Sequence, residues 1–239
     1  MNKNQKAHEF YEKNKEKIEE WLDLALYKPD TNAPIEQIPN KLDYFNNREF
    51  RRFCLIRHQL RLLELADLSA SKKVLDIGAG FGDYAITADN FKFERMDATD
   101  PGIDQYKFLT EKFKYYDNVY NLGIEEMNMS AYDTIIWSHS TAPNIFDSIK
   151  NHILTCDNLK DVVLVINLLH SDDHLELDAE NLGPTPWLYD RKVSRKLHSF
   201  KIVNMMFKSK RFSLKNSFAR MCDLERKMTS RYYLHYQRD

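Results

Sequence analysis

Glycine is scarce in this chain: six residues in 239, with seven prolines and three cysteines. So little glycine and proline excludes collagen-like and low-complexity classes, and the 43% hydrophobic content leaves enough apolar surface for a packed core. The cysteines, Cys54, Cys156 and Cys222, lie far apart with no Cys-x-x-Cys pair, which excludes a disulfide framework and a zinc knuckle and leaves them as buried thiols. No run of eighteen apolar residues occurs, so no membrane-spanning helix is expected. Residues 1–17 are polar and highly charged, without the apolar stretch of a secretory leader, and a cytoplasmic protein is the expectation.

Charge of one sign is missing locally rather than globally. Residues 1–190 carry 21 basic and 33 acidic side chains, a balance of −12, whereas residues 191–239 carry 14 and 3, a balance of +11. A basic C-terminal segment on a neutral chain marks a place where an anion would dock, without saying which anion.

Half of the glycines fall in one stretch, Lys73-Val74-Leu75-Asp76-Ile77-Gly78-Ala79-Gly80-Phe81-Gly82-Asp83-Tyr84. The apolar run broken only by Asp76 reads as a buried strand, and the glycines that follow describe a loop pressed against a ligand, because no Cβ stands in the way. A dinucleotide site wants its third glycine three residues after the second, where this chain has Asp83. The pattern Asp-x-Gly-x-Gly-x-Gly after a first strand instead resembles motif I of the class I S-adenosylmethionine-dependent methyltransferases. The resemblance covers about residues 72–170 and implies an α/β fold: a Rossmann-like, seven-stranded, mostly parallel sheet with helices on both faces. On that reading residues 1–70 form an N-terminal helical cap and residues 71–239 the S-adenosylmethionine-binding domain.

The elements expected in order are helices at residues 3–27 and 47–66, separated by a segment bearing Pro29, Pro34 and Pro39. The second helix carries Arg48, Arg51, Arg52, Arg57 and Arg61, either a solvated face or a basic edge meeting an anionic substrate. A first core helix is expected at 83–90, a second strand at 91–98, a helix at 103–115, short strands at 118–121 and 132–138, a helix at 144–155, and a central strand at 161–169. Toward the C-terminus a helix at 189–197, a strand at 200–207, a helical stretch at 213–227 and a last strand at 231–237 are expected to close the sheet with an antiparallel hairpin.

The resemblance assigns roles residue by residue. Asp76, Gly78, Gly80 and Gly82 would hold the methionine part of the cofactor, and an acidic residue at the tip of strand two would accept the ribose hydroxyls. Asp100 is preferred there over Asp97, because Pro101 suits the first position of a helix and places Asp100 at its N-cap. Glu125 is the candidate near adenine, although the position directly after Gly123, acidic in the family, is Ile124. Ser138, at the end of strand four, would face the cofactor, and His139 is the candidate general base, since imidazole titrates near neutrality. The Asn/Asp/Ser-Pro-Pro-Tyr/Phe signature of base-methylating relatives is absent from Ser138-His139-Ser140-Thr141. The run His170-Ser171-Asp172-Asp173-His174 reads as a solvated acidic loop, and no metal is expected. Substrate choice is assigned to the chain ends: a small anionic acceptor is expected, with RNA or protein as the alternative, and a non-catalytic binding module as a third reading.

Overall fold

The computed structural model describes residues 3–24, 48–138, 145–169, 175–177, 195–197, 200–221 and 229–239. The strands are β1 (Lys73–Ile77), β2 (Arg95–Thr99), β3 (Asn118–Tyr120), β4 (Thr134–Ser138), β5 (Asp161–Leu169), β6 (Leu175–Leu177), β7 (Arg195–Leu197), β8 (Phe212–Met221) and β9 (Thr229–Arg238). Seven of them form one sheet in the order β3-β2-β1-β4-β5-β9-β8, and β6 pairs with β7 alone. The first five run parallel, β9 is antiparallel to both of its neighbours, and β8 therefore points the same way as β5. Strand order reverses between β1 and β4, the place where a doubly wound sheet opens a crevice beyond its carboxyl ends.

Alternation along each strand splits the core in two. Val74, Ile136, Val163, Val165 and Tyr233 face one layer, built by α1 (Lys3–Leu24), α2 (Arg48–Leu65), α3 (Tyr84–Ala88) and the residues Phe108, Leu109, Phe113 and Tyr116 that follow α4 (Ile103–Lys107). Leu75, Ile135, Trp137, Leu164 and Leu234 face the other, covered by α5 (Ile145–Ser148) and α6 (Phe200–Ser209). Strands apolar on both faces are what a buried parallel sheet requires. The N-terminal helices contribute Phe10, Ile18, Leu22, Leu55, Leu62 and Leu65 to the same apolar cluster as the sheet. They pack directly on it.

Four expectations are corrected. Strand two begins at Arg95: Phe91 and Phe93 stack on each other at 5.3 Å in the connection leading to it and join the apolar layer from outside the strand. Residues 200–207 are helical, because Val203 and Phe207, four apart, are the buried pair of α6 despite their β-favouring types. Residues 213–221 are strand: Phe212 begins β8 and pairs with Arg238 at the far end of the hairpin. Arg195–Leu197 is also strand, antiparallel to Leu175–Leu177, where a helix was expected. The helices expected at 103–115 and 144–155 are present, but α4 and α5 widen into π-helical turns at Phe108–Lys112 and Ile149–Ile153. Of the cysteines, Cys156 is described: a half-buried free thiol whose Sγ donates to the His152 carbonyl at 3.0 Å.

Candidate cofactor site

At the carboxyl end of β1 the chain turns sharply, and Gly78, Gly80 and Gly82 have φ of 63°, 57° and 73°. This is left-handed backbone that favours glycine. The N–H groups of Gly78 and Ala79 donate to the Thr99 carbonyl at 2.8 and 3.1 Å, tying the start of the loop to the end of β2. The three glycines differ in what lies beside them. A Cβ on Gly80 would meet nothing closer than the Gly78 carbonyl at 4.0 Å, and one on Gly78 nothing closer than Trp137 Nε1 at 3.9 Å. A Cβ on Gly82 would lie 2.7 Å from Leu109 Cδ2, 3.1 Å from Tyr116 and 3.2 Å from Phe113. Gly78 and Gly80 thus border open space, while Gly82 lets the loop pack against Leu109, Phe113 and Tyr116.

Asp100 follows β2 and spans the crevice floor. Its Oδ2 accepts the Gly80 N–H and its Oδ1 the Gly102 N–H, each at 2.8 Å. Burial pushes its carboxyl up, against those two bonds. The helix N-cap is Gly102, two residues beyond the expected position, because Asp100 closes its own turn onto the Gly102 amide before the helix starts. Asp97, the alternative, is fully buried, and its carboxylate is occupied by Arg95 Nε at 2.7 Å, Tyr132 Oη at 2.7 Å and Asn118 Nδ2 at 2.9 Å. Burial would raise the Asp97 carboxyl, but the bonds from Arg95, Asn118 and Tyr132 hold it below its ordinary value.

Asp76, one strand residue before the loop, is 1% exposed. Tyr116 Oη donates to its Oδ2 at 2.6 Å, and Oδ1 is buried without a hydrogen-bond partner among the described residues. Burial, with the nearby Asp83 and Asp100 charges, holds the Asp76 carboxyl well above its ordinary value, and Tyr116 opposes the rise. Asp83, at the head of α3, is pushed up to about 6 by burial despite bonds from its own and the Tyr84 amide; His58 Nε2 lies 3.7 Å from its Oδ2.

Glu125 lies in the 3-10 turn Ile124–Glu126 beyond β3, exposed, with Ser148 Oγ donating to its Oε1 at 3.3 Å. Ser138 ends β4 opposite Val165. His139 and the run His170–His174 lie outside the described residues. Trp137, which the sequence reading passed over, is brought beside Gly78 by the register of Ile77 with Trp137. An aromatic at the end of strand four was the available signal.

The residues fit an adenosyl sulfonium ligand. The sides of Gly78 and Gly80 are open, Asp100 places a carboxylate at their edge, and the orphaned Asp76 Oδ1 is an acceptor left over for an ammonium group or a water. Among the described residues no group of three metal-ligating side chains occurs, and no helix is long and apolar enough to cross a membrane.

Three of the C-terminal basic residues are placed away from this loop. Lys208, Lys210 and Arg211 precede β8, whose first residue pairs with Arg238 next to the start of β5, at the amino ends of the parallel strands. On α2, Arg48 and Arg52 are bound to Glu19 of α1, at 2.7 and 2.6 Å, so those arginines join the two helices. Arg57 and Arg61 lie over the Phe53 and Tyr233 rings and have no carboxylate partner among the described residues.

No protein-family model and no curated protein matches the chain. Solved structures do. An O-methyltransferase from a trans-AT polyketide multienzyme of Brevibacillus brevis, in complex with S-adenosylhomocysteine, superposes with a TM-score of 0.58 at 12% identity, over 89% of this chain and 82% of that one. The magnesium protoporphyrin IX methyltransferase of Synechocystis PCC 6803, also with bound S-adenosylhomocysteine, gives 0.54 at 14% identity over 97% of each chain. A geranyl diphosphate methyltransferase in complex with GPP and sinefungin gives 0.54 at 11% identity, over 77% of this chain and 81% of that one. With its strand order, the one antiparallel strand of its seven-stranded sheet and its glycine turn after β1, the chain has the Rossmann-like fold of these methyltransferases.

Proposed function

We propose that this protein is an S-adenosylmethionine-dependent methyltransferase acting on an oxygen or nitrogen of a small anionic metabolite or sugar: phosphorylated, nucleotide-linked or carboxylated. The observation that carries the reading is the Asp100 carboxylate bound to the Gly80 amide at the edge of a loop whose Gly78 and Gly80 face open space. Gly78, Gly80 and Asp76 would hold the methionine part, Asp100 the ribose hydroxyls and Glu125 the adenine edge, with Ser138 at the end of β4 beside them.

The cofactor supplies a methyl group already activated on a sulfonium, so the protein's own work is alignment and exclusion of water. The acceptor is held above the carboxyl ends of β4 and β5, where Ser138 ends β4 and His139 follows it in the chain. Where the acceptor atom carries a proton, His139 is the candidate to take it. Arg57 and Arg61, without carboxylate partners among the described residues, are candidates to supply the positive charge that an anionic acceptor needs. The reading includes a cytoplasmic location, no metal and no membrane partner.

The test is incubation with methyl-labelled cofactor against separate pools of phosphorylated metabolites, carboxylated metabolites and total RNA. Label is expected in an anionic small-molecule pool. Label confined to RNA, or no transfer to any pool, contradicts the proposal.

A further inference from the structure

The glycine loop is held from outside the Rossmann unit. Trp21, on α1, donates its indole Nε1–H to the Phe81 carbonyl at 2.9 Å, across 60 residues of sequence. Phe81 stands between Gly80 and Gly82, both left-handed, so its carbonyl belongs to the turn itself and not to a strand or helix. Indole is a donor only, which makes the match one-way. The Arg51 guanidinium lies over the Trp21 ring at 5.9 Å. Lys17 anchors the same helix to the Ala85 carbonyl at 3.5 Å and to Asp89 at 2.7 Å, and Lys13 reaches Asn90 Oδ1 at 2.7 Å. Two residues further on, the Asp83 carbonyl is taken in the same manner by Gln59 Nε2 of α2 at 2.9 Å, from a side chain that is fully buried.

We infer that Trp21 is a positioning residue for the cofactor loop: its bond to the Phe81 carbonyl fixes the 81–82 peptide, whose Gly82 N–H closes the loop onto the Ala79 carbonyl at 2.8 Å and so holds Gly80 against Asp100. The inference rests on the reading of that loop as a nucleoside cradle. Without the bond, the 81–82 peptide can turn about Gly82, which has no side chain to resist it, and the closure of the loop that holds Gly80 loosens. One neutral hydrogen bond of this kind is worth roughly a 3- to 10-fold change in affinity.

The experiment is calorimetric titration of the full chain with S-adenosylhomocysteine, with thermal melting of each variant alongside. Trp21→Phe keeps the ring packing and removes the donor. Benzothienylalanine at position 21, which exchanges the N–H for sulfur in an unchanged shape, serves if Trp21→Phe does not fold. Tyr115→Phe is the control, since it cuts another α1 tie, from Tyr115 Oη to Glu20, that does not touch the loop carbonyls. The expected result is affinity weakened 3- to 10-fold in the position 21 variants, with Tyr115→Phe binding like the parent even where it melts lower. Parent-like affinity in the position 21 variants, or equal weakening in Tyr115→Phe, overturns the inference while leaving the cofactor reading in place. A parent chain that does not bind at all removes the cofactor reading and the inference together.

Discussion

Asp100 Oδ2 and the backbone N–H of Gly80 meet at 2.8 Å, so the carboxylate that ends β2 and the loop that ends β1 form one unit. Removing the carboxylate frees two amides, those of Gly80 and Gly102, in a site where Asp100 is 8% exposed. Asp100→Ala is expected to weaken S-adenosylhomocysteine binding roughly 100-fold and to lower the melting temperature, because bonds to a charged acceptor are worth roughly 1.5–3 kcal/mol each. Asp100→Asn is expected to fall between, since its amide can accept one N–H but faces the other with a donor. Calorimetry and melting curves on the two variants check this.

The glycines separate by substitution. Gly82→Ala drives a Cβ to 2.7 Å from Leu109 at a φ of 73°, and a loss of roughly 2–4 kcal/mol of stability is expected from crowding plus backbone strain. Gly80→Ala meets no protein atom nearer than 4.0 Å and is expected to cost roughly 1–2 kcal/mol through strain alone, yet to bind nucleoside at least tenfold more weakly. Denaturant titration and calorimetry on the two variants read the two losses separately.

The sequence could not make that distinction. Gly78, Gly80 and Gly82 carry the same letter, and only the aromatic wall of Phe113 and Tyr116 shows that Gly82 serves packing. The parallel strands were legible because β1 and β5 are rich in apolar residues, whereas Asp100 was preferred over Asp97 on the expectation that it caps the next helix, and the cap is Gly102. The C-terminal exchange of helix and strand was not legible: Phe200 to Phe207 is built from strand-favouring residues, and the burial of Val203 with Phe207 on one helical stripe decides the matter. The widened turns at 108–112 and 149–153 leave the apolar spacing almost unchanged and so leave no trace in the pattern. Trp21 and Gln59 act at loop carbonyls 60 and 24 residues away, a distance that local pattern does not span.

Asp83 makes stability depend on pH. Its carboxyl, pushed up to about 6 from an ordinary 3.8 by burial, keeps a proton in the folded chain that the unfolded chain has already released. The stabilising contribution is therefore complete below about pH 4 and lost as pH rises through about 6. Asp83→Asn, which keeps the carbonyl bonded to Gln59, is expected to flatten that part of the stability curve. Melting temperatures of parent and variant between pH 4 and pH 7 check it.

Glu19 works in the opposite sense. Hydrogen bonds from Arg52, then Arg48 and Tyr11, hold its carboxyl at about 2 against the burial that would raise it. A lowered carboxyl stabilises above the ordinary 4.5, and that contribution disappears as pH falls through about 2. Glu19→Gln is expected to cost roughly 1 kcal/mol at pH 7, because the pair is only partly shielded from solvent. The difference from the parent should close by about pH 2, as denaturant titration at both pH values would show.

The central claim is that a side-chain-free turn and the carboxylate beside it bind an adenosyl sulfonium, and direct titration of the purified chain with S-adenosylhomocysteine tests it most closely. The account predicts one-to-one binding that Gly80→Val and Asp100→Ala abolish or weaken severely while both variants remain folded. A folded parent that takes up no nucleoside, or variants that hold it as firmly as the parent does, would contradict it.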